Sequence, residues 1–247
     1  MSSKPPLTYG VPVGSTAVLE QVYDFDEKAY LHRLSGIESI PRDLFLEWWY
    51  AHPTGFLCTL EGGRPIAVVG LFPVTEDWSN RFLTHQTSEC ELRAATIRLG
   101  AVEGRETPGT HWYLSGLSSI SRGRSTSISL PRLLGFSLLR WLNLSQDLIG
   151  AKDITIAAEA STPIGEKLLR QYFGFCSEGQ TQGTARHRRF WKRTGTQQII
   201  KLLGDDPLFK RCADLQEELT RYPTVFASCD ESKRSLTGSR EHVCVPR

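Results

Sequence analysis

The run from His111 to Ser127 constrains the fold more than any other stretch. An aromatic, strand-like segment breaks there into small residues and then into an apolar helix beginning near Leu130. Strand, small-residue loop and helix in that order turn the loop's N–H groups and the first helical turn toward one point. Donors without intrahelical partners and the positive end of the helix dipole favour an anion there, one the size of a pyrophosphate.

The other elements follow from local signals. Gly55–Leu60 and Pro65–Phe72, joined by Glu61-Gly-Gly-Arg64, read as a β-hairpin. Asp153–Ala158 alternates as a strand, and Thr162 with Pro163 supplies the N-cap and first turn of a helix that carries Leu168 and Leu169 and ends at Gly174-Phe175. Ala185–Arg193 reads as the last strand. Near the N-terminus, residues 1–16 read as a loose start and Ala17–Tyr23 as a first strand. Asp26 caps a helix from Glu27 to Leu34, and a second helix opening at Pro41 places Leu44, Phe45, Trp48 and Trp49 on one side, as core. Glu91–Leu99 reads as helical and Gly100–Gly109 as a loop by composition.

With 247 residues and 40% hydrophobic content, the chain can bury a full-sized core. Its apolar runs, such as Ile66–Phe72, fall far short of the roughly 20 residues that span a membrane, and Met1–Pro6 lacks a secretory apolar region. A cytoplasmic location without membrane contact is therefore expected. Six dispersed cysteines with no C-x-x-C pair point to reduced thiols, and no metal is expected. After Gly195 the composition changes to a helical appendage. Leu208, Cys212, Leu215, Leu219 and Tyr222 form a stripe expected to pack on the chain's own core. From Ala227 onward a disordered tail is expected. The division is then 1–195, 196–226 and 227–247.

A net charge of +2 does not imply general nucleic-acid binding. One basic run stands out, with Arg186, Arg188, Arg189, Lys192 and Arg193 interleaved with His187, Phe190 and Trp191. It suits a phosphorylated acyl carrier or a nucleic acid, or else a charged edge strand that resists aggregation.

Strand, strand, strand, loop–helix, strand, helix, Gly-Phe, strand is an order that resembles the GNAT superfamily of acyl-CoA-dependent N-acyltransferases over roughly residues 17–193. The family's loop reads approximately V-x-P-x-x-R-G-x-G-x-G. Leu117-Ser-Ser-Ile-Ser-Arg-Gly-Arg-Ser-Thr-Ser127 keeps the spacing, with Arg122 and Gly123 identical and serines in place of two glycines. Serine adds a Cβ where glycine lets the backbone approach phosphate closely, yet its hydroxyl still donates.

The resemblance implies an α/β (α+β) fold, a mixed central sheet flanked by helices with a C-terminal helical appendage. It implies pyrophosphate binding by Arg122, Gly123, Arg124, Ser125, Thr126 and Ser127, and a pantetheine arm beside Leu117, Ser118 and Ser119. In the family a tyrosine that protonates the departing thiolate lies five residues before the terminal phenylalanine. Arg170 stands there, counted with the cofactor-binding residues, and Tyr172 lies two residues on as the displaced acid candidate. The candidate bases are Glu89, Glu91, His111 and Glu159. The implied reaction is direct transfer within a ternary complex, from acetyl-CoA or a longer acyl-CoA, or from an acyl-carrier protein, to an amine of a small molecule or peptide. The alternatives are a non-catalytic GNAT-like binding module and a nucleic-acid-binding protein using residues 186–193.

Overall fold

The computed structural model describes residues 6–31, 40–106, 110–119, 130–145, 148, 151–177 and 188–221. Its strands are β1 (Leu7–Pro12), β2 (Phe56–Glu61), β3 (Arg64–Val74), β4 (His111–Ser119), β5 (Ile154–Ala160), β6 (Cys176–Ser177) and β7 (Arg188–Thr194). They form one sheet in the order β1-β2-β3-β4-β5-β7-β6. Every neighbouring pair is antiparallel except β4 with β5, so the sheet is mixed, as the resemblance implies.

Two cores lie on its two faces. On one face pack α1 (Thr16–Leu31), α2 (Arg42–Ala51), α3 (Glu76–Leu83) and α4 (Ala94–Glu106). Trp48 is fully buried among them and its indole donates to the Leu92 carbonyl at 2.6 Å, which satisfies the one polar atom of a large apolar ring. On the other face lie α5 (Leu130–Leu144), the segment after β5, and the C-terminal helices α7 (Thr196–Asp205), α8 (Pro207–Lys210) and α9 (Ala213–Arg221).

The hairpin at Gly62-Gly63, the helix α2 and the helical start at Thr162 stand where the sequence puts them. Thr162 accepts from the Gly165 N–H at 3.0 Å, with Pro163 opening α6 (Pro163–Lys167). The N-terminal reading is corrected. The strand is Leu7–Pro12, and Ala17–Tyr23 is helical, because Leu19, Val22 and Phe25 recur at helical spacing and are all buried. Asp26 is inside α1 and caps nothing.

Gly100–Glu106 is also helix, not loop, and residues 107–109 lie outside the described part. A Cβ at Gly100 would stand 2.5–2.6 Å from backbone atoms of Val74, so this glycine serves close helix–sheet approach. The C-terminal stripe docks on the chain's own core through Leu215 and Leu219, with Phe209 as a third anchor. A turn at residues 211–212 divides it into two helices. The side chains of Leu208 and Tyr222 and the segment 227–247 lie outside the described residues.

Gly100→Ala gives a direct check of this packing. Helix propensity alone favours alanine by about 1 kcal/mol. Overlap with the β3 backbone reverses the sign, and a net loss of about 1–3 kcal/mol is expected, read as a lower melting temperature. An unchanged or raised melting temperature would contradict the close approach.

Candidate functional site

The site begins where β4 and β5 part. Their ladder holds only from His111↔Thr155 to Leu114↔Ala158. Beyond Leu114, β4 continues on β3 to Ser119 and β5 continues on β7 to Ala160, but the two no longer pair. The cause is a register shift between Gly70 and Leu71 that leaves Ser115 as a bulge in β4, and bulges bend the strand that carries them. Gly70 makes this possible, since a Cβ there would lie 2.0 Å from the Ser115 hydroxyl oxygen. Residues 115–118 thus turn their β5 side toward a gap in mid-sheet.

Carboxylates gather over one face of that gap. Tyr113 Oη donates to Glu89 Oε2 at 2.6 Å, and Ser118 Oγ donates to Asp26 Oδ1 at 2.5 Å. Glu159, on the end of β5, pairs with Arg189 Nε at 3.2 Å. Arg189 is itself buried, lies over the Phe82 ring at 4.3 Å and donates to the Phe82 carbonyl. Next to this group His85, two residues past the end of α3, has φ of 61°, in the left-handed region.

Burial pushes the Glu89 carboxyl up to about 7; the Tyr113 hydrogen bond opposes this, while the Glu159 and Asp26 charges add to it. Asp26 is raised to about 6, again mainly by burial and against its bond from Ser118. Taken as whole residues, both are of intermediate exposure. A carboxyl crowded on most sides and poised near neutrality is suited to exchange protons with a neighbouring molecule.

The other candidates separate cleanly. Glu91 accepts from Thr87 Oγ1 at 2.5 Å and from the Ser88 N–H at 3.1 Å; these bonds hold its pKa low, and it serves as an exposed helix cap. His111 sits at the closed end of the ladder, seven residues of strand from Ser118, about 23 Å away. Burial lowers its pKa and it does not join the cluster. Arg170 is committed to Glu166 at 3.3 Å, a carboxylate it shares with Arg188 at 2.7 Å on the protein surface. Arg170 thus stands in a surface ion-pair network.

Leu117 packs against the core on the α5 face, and Ser119 pairs with Ala67 of β3. Tyr172 falls in a π-helical turn, Leu168–Tyr172, but its side chain lies outside the described part, as do Arg122, Gly123, Arg124, Ser125, Thr126 and Ser127. The sequence offers Asp26 only as a cap, Tyr113 within the aromatic strand and Arg189 within the basic run; their meeting with Glu89 and Glu159 comes from the fold.

No family model matches this sequence, and no curated protein matches it. Solved structures with similar folds include the polyamine N-acetyltransferase of Drosophila melanogaster, which forms N-acetylagmatine, at 14% identity and TM-score 0.47, covering 76% of this chain and 99% of that one. The AHL synthase LasI is similar at 14% identity and TM-score 0.48, over 82% of this chain and 95% of that one. The NatC complex bound to Gag peptide and CoA gives 10% identity and TM-score 0.45, over 78% and 99%.

The raised carboxyl makes stability depend on pH. An ordinary glutamate near 4.5 releases its proton in the unfolded chain while folded Glu89 holds it up to about 7. This contribution to stability is therefore full below about 4.5 and is lost as pH rises through about 7. Urea unfolding from about pH 5 to about pH 8 should show wild-type stability falling more steeply than that of Glu89→Gln. Parallel curves would place Glu89 in an ordinary aqueous setting.

Proposed function

We propose that this protein is an N-acyltransferase that moves an acyl group from a coenzyme A thioester to an amine of a small molecule or peptide. The single observation that carries the reading is that β4 and β5 part just beyond Tyr113, whose hydroxyl holds the Glu89 carboxyl, poised near neutrality. The free edge of residues 115–118 offers backbone donors and acceptors, in strand geometry, to the amides of a pantetheine arm. In this reading the loop Arg122–Ser127, next along the chain, takes the pyrophosphate.

Asp26, Glu89 and Glu159, only partly offset by Arg189, draw the acceptor in as an ammonium ion. The Glu89 carboxylate takes one proton from it, and the freed nitrogen pair forms the bond to the thioester carbonyl carbon. The carbonyl oxygen gathers negative charge, which β4 N–H groups facing the gap can stabilise. Collapse restores the carbonyl and breaks the C–S bond, and sulfur leaves with its electron pair. The remaining surplus proton on nitrogen ends on the thiolate, giving amide and thiol, while Glu89 returns its proton to water. A thiol of pKa about 8.5 leaves without a dedicated acid, so arginine at position 170 is compatible with transfer. Glu89 is the general base here, and Asp26 and Glu159 position the amine.

The nucleic-acid reading has less support, since Arg188, Arg189 and Arg193 pair with Glu166, Glu159 and Asp153. Residues 186 and 187 lie outside the described part.

Two measurements test the proposal. Calorimetric titration should show CoA binding to the folded protein. Glu89→Gln should then lower kcat about 10²–10⁴-fold near neutral pH, with CoA affinity unchanged. Absence of CoA binding would favour a carrier-protein donor or a non-catalytic module. Near-wild-type turnover in Glu89→Gln would remove it as the base.

A further inference from the structure

Tyr113 stands one residue before the end of the β4–β5 ladder, level with Ala157 of β5 and Phe72 of β3, and it is wholly buried. Trp78 and Phe82 of α3, stacked on each other with ring centroids 5.0 Å apart, both meet the Tyr113 ring edge-on, at 5.2 and 5.0 Å. Strand pairing on both sides and two aromatic contacts hold the ring in place, so its hydroxyl is a fixed donor. That hydroxyl donates to Glu89 Oε2 at 2.6 Å, a length usual for a bond to an ionised carboxylate. Phenylalanine would satisfy the same ring contacts, so what the hydroxyl adds is the bond to Glu89.

Resting on the reading of Glu89 as the base, we infer that Tyr113 is its positioning residue, a fixed phenol that holds Oε2 and leaves Oε1 to exchange the proton. The bond survives that exchange, because a carboxyl protonated at one oxygen still accepts at the other. The charges around Glu89 supply no such hold. Glu159 on β5 and Asp26 on α1 disfavour its ionised form, and Arg189 on β7 favours it but is paired with Glu159. Asp26 has its own donor in Ser118, and the exposed His85 feels Glu159 and Arg189. A hydrogen bond to an ionised group is stronger than one to a neutral group, so Tyr113 draws the carboxyl back from where burial and like charges drive it. The result is a base that ionises near neutral pH instead of well above it.

Tyr113→Phe in the full chain keeps the ring and removes the donor. The acid limb of the kcat/KM profile should then move up by about one to two pH units. Turnover at neutral pH should fall about tenfold or more and recover on the alkaline plateau, whereas Glu89→Gln should stay low throughout. Fluorotyrosine at position 113, a more acidic and stronger donor, should move the limb the opposite way. Urea unfolding reads the same hold without turnover: the stability that the wild type loses as pH rises through about 7 should be lost at higher pH in Tyr113→Phe. If Tyr113→Phe fails to fold, the fluorotyrosine protein decides. A limb or a stability curve that stays in place, or a loss of turnover equal at every pH, would overturn the inference and leave the transferase reading standing. If no acyl group is transferred, that reading falls, and the stability curves decide whether Tyr113 holds Glu89.

Discussion

The parting of β4 and β5 is the constraint on which the rest of the structure depends. A strand in the middle of a sheet normally satisfies both edges, because buried backbone groups without partners are costly. Here the ladder ends after four pairs, and β3 and β7 carry the two strands onward separately. The break is built in by the Ser115 bulge and the missing Cβ at Gly70, not by weak pairing elsewhere. A sheet that keeps its outer pairs while releasing one inner pair creates a slot that a strand-like ligand can complete.

The two faces of that slot differ in chemistry for reasons visible in the alternation of β4 and β5. Tyr113 and Ser118 face α1–α4, where they hold Glu89 and Asp26, and Glu159 shares that face with Arg189. Leu114 and Ile156 face α5. Burial raises the acids on one side, and a small cavity of mostly apolar lining lies on the other. The C-terminal helices matter to the second face, since Ile199 and Leu202 of α7 line the cavity there. Arg132 of α5, lying over the Tyr9 ring and paired with Asp214, ties α9 to the same side.

Elements with local chemistry were readable in sequence. Gly62-Gly63 turns the hairpin and Thr162-Pro163 starts a helix whatever the surroundings. Tertiary packing overrode local composition elsewhere. Val18, Val22 and Tyr23 look strand-like, yet their segment buries a helical stripe, and Gly100 looks like a loop residue but permits contact with Val74. The mixed sheet was legible through the order of its elements. Of the four base candidates, Glu89 and Glu159 meet at the opening, whereas Glu91 and His111 do not. Nothing local separates them, because the partner that defines each acid is distant. Asp26 and Ser118 are 92 residues apart in sequence, and Glu89 and Tyr113 are 24 apart.

Amide hydrogen exchange on β4, with and without CoA, tests the central claim most directly. If the released edge is the pantetheine site, the amides among Gly116, Leu117 and Ser118 that face the gap exchange more slowly once CoA is bound. Amides on the paired part of β4, from His111 to Leu114, change little. Saturating CoA binding with unchanged exchange at residues 116–118 would contradict the account and put the ligand elsewhere on the protein.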